Sequence, residues 1–195
     1  AQAFGIIGNP AYLEIALGVV EELWTEFEGN AMKMPHEIGL AGGSCLLADH
    51  VNALRAYLDC YQVTGDRDLV NRAEKLISSI QVLFSNPDGG HYDANFGTVI
   101  GGPTLPGVKP VLENALLAEA YISLGTITGK EEYLDEARTT LEAFSGVVPC
   151  QTYIGPPALR KVEEDEERLF LPAASAWARA SEILESKMVH LVIVG

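Results

Sequence analysis

Three glycines set a register that the rest of this chain must obey. They stand in Ile7-Gly8-Asn9-Pro10-Ala11-Tyr12-Leu13, Thr64-Gly65-Asp66-Arg67-Asp68-Leu69-Val70 and Thr128-Gly129-Lys130-Glu131-Glu132-Tyr133-Leu134. Each is followed eight positions later by an alanine, at Ala16, Ala73 and Ala137. The steps from Gly8 to Gly65 and from Gly65 to Gly129 are both longer than a tetratricopeptide or ankyrin unit. A glycine in this position closes one helix in the left-handed C′ conformation, and the short polar turn after it starts the next.

After each turn, apolar residues recur at helical spacing. The first series is Leu13, Ala16, Leu17, Val20, Leu23, Trp24 and Phe27; the second is Leu69, Ala73, Leu76, Ile77, Ile80 and Leu83; the third is Leu134, Ala137, Leu141 and Phe144. The helices before the turns correspond as well. Val51, Leu54, Leu58 and Tyr61 run into Gly65, while Leu117, Tyr121 and Leu124 run into Gly129. The offset that carries Gly65 onto Gly129 also aligns Tyr57 with Tyr121 and Asp49 with Glu113. The unit is an antiparallel helix pair. The expected fold is therefore all-α, with residues 1–195 forming a single α/α-hairpin domain of about three to four helix pairs, part of an incomplete α/α toroid.

Long glycine-rich connections separate the pairs. Asn86-Pro87-Asp88-Gly89-Gly90-His91-Tyr92-Asp93 is followed by Ile100-Gly101-Gly102-Pro103 and the run to Lys109-Pro110, with Val99-Ile100 readable as a short β segment. Loops held on a rigid scaffold usually carry a fold's specific features. Gly155-Pro156-Pro157 precedes the acidic run Glu163-Glu164-Asp165-Glu166-Glu167, read as a solvated face or loop. Ala173 to Leu184 reads as a further helix, and Leu191-Val192-Ile193-Val194 as a terminal strand.

Charge and composition exclude several functions. The formal net charge is −14, and no Lys/Arg cluster offers counterion release, so nucleic-acid binding is not expected. The longest apolar runs fall far short of the ~20 residues of a membrane span. Cys45, Cys60 and Cys150 are widely spaced and form no CxxC, as small buried hydrophobes in a reducing compartment would; a cytoplasmic location follows. The four histidines share no i, i+4 pair, so no metal site is expected. With no phosphate loop, dinucleotide fingerprint or Gly-x-Ser-x-Gly, no cofactor is expected either.

Leu47-Ala48-Asp49-His50-Val51, Thr64-Gly65-Asp66, Gly89-Gly90-His91-Tyr92-Asp93, Lys109-Pro110 with Glu113-Asn114, and the closing Val192-Ile193-Val194-Gly195 carry a resemblance. From about Gly39 onward the chain resembles the helical-toroid, six-hairpin glycosidase-like region of the YyaL-like and spermatogenesis-associated thioredoxin-domain-containing family. That region is related to the glycosidase and sugar 2-epimerase toroids. Two departures stand out: the thioredoxin domain's cysteine motif does not occur in these residues, and the family's toroid has six pairs. Redox function is therefore not carried over.

The resemblance implies a carbohydrate-active role, with paired carboxylates for glycoside hydrolysis or sugar epimerisation and aromatics stacking on a sugar ring. The candidate acids are Asp93, Glu113 and Asp49, with His91, Tyr92, His50, Tyr57 and Tyr121 as candidate sugar-binding residues. Each has a structural alternative. Asp49 and Glu113 lie near helix starts, where carboxylates cap free N–H groups. Asp93 could close an Asx turn, and His50 and His91 could be hydrogen-bonded structural histidines. The alternative function is a non-catalytic helical-repeat module serving a partner chain or a thioredoxin-like protein. Either way, an arc of three or four pairs leaves end faces uncovered, so a homo-oligomer or companion chain is expected.

Overall fold

The computed structural model describes residues 1–37, 45–95, 108–145, 153–154 and 166–186, of which 95, 153–154 and 166–171 by backbone alone. Those residues form seven helices: α1 (Gln2–Ile7), α2 (Pro10–Gly29), α3 (Leu47–Thr64), α4 (Arg67–Phe84), α5 (Val111–Thr128), α6 (Glu131–Glu142) and α7 (Glu166–Glu185). The expected Val99-Ile100 segment, the Gly155-Pro156-Pro157 loop, the start of the acidic run and the terminal strand lie outside the described residues.

The glycine register is realised at all three turns. Gly8, Gly65 and Gly129 have φ of 75°, 71° and 74°, and their amides donate to the carbonyls of Phe4, Tyr61 and Gly125. Asn9 and Asp66 then cap the following helices, accepting from the amides of Ala11 and Asp68 at 3.0 Å each. The three turns thus make hairpins of α1–α2, α3–α4 and α5–α6.

Within this array α1, α3, α5 and α7 pack side by side, while α2, α4 and α6 lie against that row from outside. Sequence explains the difference. α5 buries residues around its whole circumference, among them Val111, Asn114, Leu117, Ala118, Tyr121 and Leu124, because neighbours surround it. α4 buries one stripe, Leu69, Ala73, Leu76, Ile77, Ile80 and Phe84. Ala73 and Ala137 are fully buried and bring the outer helices close. Cys45 and Cys60 are free, buried thiols.

α7 begins at Glu166, well before the Ala173 that the apolar spacing indicated, so Glu166 and Glu167 are helical. Pro172 sits inside it, which is why the apolar periodicity was legible only beyond that point. Two-residue strands tie the loops: β1 (Cys45–Leu46) with β2 (Ala94–Asn95), and β3 (Lys109–Pro110) with β4 (Tyr153–Ile154), both antiparallel.

Candidate functional site at the helix N-termini

The loop after α4 builds a rim across the starts of α3 and α5. It leaves the helix through an Asx turn, with Asp88 N–H donating to Asn86 Oδ1 at 2.7 Å, and doubles back so that Ser85 pairs with His91. Gly89 and Gly90 have φ of 85° and 72°, and a methyl group on Gly90 would stand 3.2 Å from the Phe144 ring. Only glycine fits there without strain. Lys109 closes the turn from outside, its ammonium donating to Gly89 O at 2.7 Å.

Asp93 is the hub of this rim. Its carbonyl accepts from Leu47 N–H at 2.8 Å, and its N–H donates to Val108 O at 2.7 Å. Its carboxylate accepts a longer bond from Val108 N–H at 3.3 Å. One residue therefore fastens the first turn of α3 to the strand entering α5. Asp49 and Glu113 are the acids of those first turns, so the three candidate acids share one end of the helix row.

Neither Asp49 nor Glu113 caps its helix: the N-cap residues are Leu46 and Pro110, without side-chain capping bonds. Asp49 instead binds His36, Oδ2 to Nδ1 at 2.9 Å, and both side chains reach solvent. Glu113 is half-buried and has no hydrogen-bond partner among the described residues. His36 was not singled out by sequence, since it lies far from Asp49 along the chain and no motif joins them.

The candidate binding residues divide by burial. Tyr92 is half-buried on the rim, its N–H donating to Phe84 O at 2.8 Å. Tyr57 is fully buried, and its hydroxyl donates to Val20 O at 2.8 Å. Tyr121 is equally buried, between His91 and Tyr133, at centroid distances of 6.2 and 6.3 Å. His91 is 3% exposed, and burial together with the nearby Lys109 charge pushes its imidazole down to about 4.

His50 is fully buried, edge-on to Phe27 and Phe84. Its Nδ1–H donates to Leu46 O at 2.9 Å, which leaves Nε2 to accept from Met34 N–H at 3.1 Å. That pairing needs the neutral ring, and burial lowers its pKa accordingly.

Asn114 does the same work one repeat later. It follows His50 at the same offset that separates Asp49 from Glu113. Its amide donates to Pro110 O at 2.7 Å and to His91 O at 2.9 Å, and accepts from His91 N–H at 2.7 Å. In both repeats a polar residue in the first turns of the inner helix bonds the N-cap carbonyl and a loop amide. The repeat offset was the signal that could have paired His50 with Asn114.

Two grooves are present elsewhere. One of about 340 Å³ lies at the opposite end, where Gly125, Leu134, Ile183 and Leu184 line it. Another of about 240 Å³ runs along the inner row and is polar, with Arg55, Asp59, Glu119 and Arg179 in its wall. Neither reaches the three acids. Segments 38–44 and 96–107, which adjoin the rim in sequence, lie outside the described residues.

The helix arrangement has counterparts among solved structures. The chain is similar to a GH76 α-mannanase from Bacteroides thetaiotaomicron, with a TM-score of 0.68 at 15% identity, over 94% of this chain and 49% of that one. The fold is that of an α/α toroid. An unsaturated glucuronyl hydrolase from Bacillus sp. GL1 gives 0.59 at 16% identity, over 91% of this chain and 57% of that one. A cellobiose 2-epimerase from Spirochaeta thermophila gives 0.59 at 16%, over 91% and 56%.

These neighbours are six-hairpin glycosidase-like proteins, and the likeness is one of fold. The chain spans from about a third to a little over half of the length of the solved structures it matches. No family model and no curated protein matches its sequence. Among the described residues, no helix is long and apolar enough to cross a membrane.

Proposed function

We propose that this chain is a carbohydrate-active part of an α/α toroid, handling glycosides or reducing sugars at the rim formed by the starts of α3 and α5. The observation that carries the reading is the backbone linkage Leu47–Asp93–Val108, which gathers Asp49, Asp93 and Glu113 at one end of the inner helices. Hydrolysis of a glycoside needs one carboxyl group as acid and a second as base or nucleophile. Epimerisation needs a group that removes the proton beside a sugar carbonyl. The positive ends of α3 and α5 favour ionised carboxylates at the rim, and the half-buried Tyr92 offers a ring for stacking. Glycosidase and epimerase activities among the neighbours of this fold point the same way.

In this reading Asp93 and Glu113 are the acids, Asp49 acts with His36, and Tyr92 contacts the sugar. His50, His91, Tyr57 and Tyr121 serve from the interior. Kinship with the YyaL-like family rests on the Gly89-Gly90-His91-Tyr92-Asp93 and Thr64-Gly65-Asp66 motifs; a cytoplasmic location fits the free thiols. A panel of reducing sugars and aryl glycosides tests the activity. Turnover that disappears when Asp93 and Glu113 are both replaced by alanine is expected. Turnover unaffected by that replacement, or none with any sugar, defeats the reading.

One observation favours a second reading, a helical module that docks a companion chain or a second copy. Ile6, Ile7, Tyr12, Ile15 and Val19 are 43–87% exposed on the α1–α2 hairpin. Tyr12, Ile15 and Val19 share one face of α2 by helical spacing, and exposed apolar side chains grouped in this way mark interaction surfaces.

A further inference from the structure

Burial of a polar atom normally comes with a hydrogen bond. Among the described residues, three buried atoms beneath the rim have no partner: Nδ1 and Nε2 of His91, and the hydroxyl of Tyr121. The two rings are neighbours, 6.2 Å apart and inclined at 39°. The unpartnered atoms therefore belong to adjacent side chains, and leaving all three dry would forfeit the hydration of each.

The groups around the pair are committed elsewhere. On α5, the Asn114 side chain lies close to the His91 ring without completing a hydrogen bond to it, and its three bonds go to backbone. On α6, Tyr133 stacks on Tyr121 but gives its hydroxyl to Glu74 at 2.9 Å, and Glu136 contributes only its charge. From α4, the Gln81 side chain approaches the Tyr121 hydroxyl without completing a hydrogen bond. Before α5, the Lys109 ammonium is spent on Gly89 O. The preceding repeat shows that the tyrosine position does not require an orphan, because Tyr57 reaches Val20 O.

We propose that His91 and Tyr121 form an internal hydration site beneath the rim, holding one or two ordered water molecules. A neutral imidazole presents one N–H and one lone pair, and a phenol presents both roles on one oxygen. Water, which donates twice and accepts twice, complements both, and buried waters characteristically make about three such bonds. The site is independent of any carbohydrate role. It seats His91, and through the two intervening peptide bonds it steadies Asp93.

High-resolution crystal structures of the wild type and of Tyr121→Phe test it. The wild type should contain a water within hydrogen-bonding distance of both a His91 nitrogen and the Tyr121 hydroxyl, and Tyr121→Phe should lose it. Melting temperature in solution should fall by roughly 2–4 °C in Tyr121→Phe. A dry interior with Tyr121 bonded directly to His91 or Gln81, or with the His91 ring bonded to Asn114, would overturn the proposal. So would a variant that melts at or above the wild-type temperature.

Discussion

Asn114 makes three hydrogen bonds from one buried amide, and all three serve backbone groups, two of them those of His91. Replacing it with alanine strands the His91 N–H, so Asn114→Ala is expected to cost about 2–4 kcal/mol by urea denaturation. The buried histidines add a pH dependence whose sign follows from their neutrality. The imidazole of His91 ionises near 4 when folded and near 6.5 when unfolded. Between those values the unfolded chain binds the extra proton. Stability is therefore full above pH 6.5 and falls as the pH drops toward 4, by about 3 kcal/mol for this residue. His50, also shifted downward, steepens the loss. Urea midpoints between about pH 7.5 and 4.5 measure it; a flat profile would contradict the neutral, buried rings. Sequence could offer both histidines only as bases or structural groups, because nothing in the spacing reveals which loop amide a ring will meet.

The turn and loop glycines differ in what surrounds them, although their φ values are alike. A methyl group on Gly65 would meet nothing within 4 Å, whereas on Gly90 it would meet Phe144, Asn114 and Ala143 at 3.2–3.5 Å. Gly65→Ala should cost about 1 kcal/mol, the backbone penalty alone. Gly90→Ala should cost about 2–4 kcal/mol, since crowding adds to it. Thermal unfolding of the two variants separates them, and equal losses would contradict the close packing of the rim loop on Asn114 and on Ala143 and Phe144 just beyond α6. The helix pairs were legible because glycine, polar turn and apolar stripe recur in fixed register. The rim was less so. Asp93 was visible as an acid after a double glycine, but its backbone bonds to Leu47 and Val108 are long-range contacts that no local pattern encodes. The expectation that Asp49 and Glu113 cap their helices was reasonable from position, yet Leu46 and Pro110 hold the cap positions without side-chain bonds.

Across the molecule, the inner row of α1, α3, α5 and α7 places the candidate acids at one end and an exposed apolar face at the α1–α2 edge. If that face docks a second copy, wild-type protein should associate at micromolar concentration. Ile15→Glu with Val19→Glu should then be monomeric by light scattering, with stability changed by less than about 1 kcal/mol at these exposed positions. The arc itself could be read from the spacing of Gly8, Gly65 and Gly129. The placement of α1 and α7 in the inner row emerged only from packing. What distinguishes the carbohydrate reading is that ligand must bind at the helix starts and nowhere else. Backbone amide shifts recorded while mono- and oligosaccharides are titrated in test that most directly. Perturbations confined to residues 47–51, 89–94 and 108–114 are predicted, whereas binding centred on the Gly65 and Gly129 turns, or no perturbation by any sugar, would contradict it.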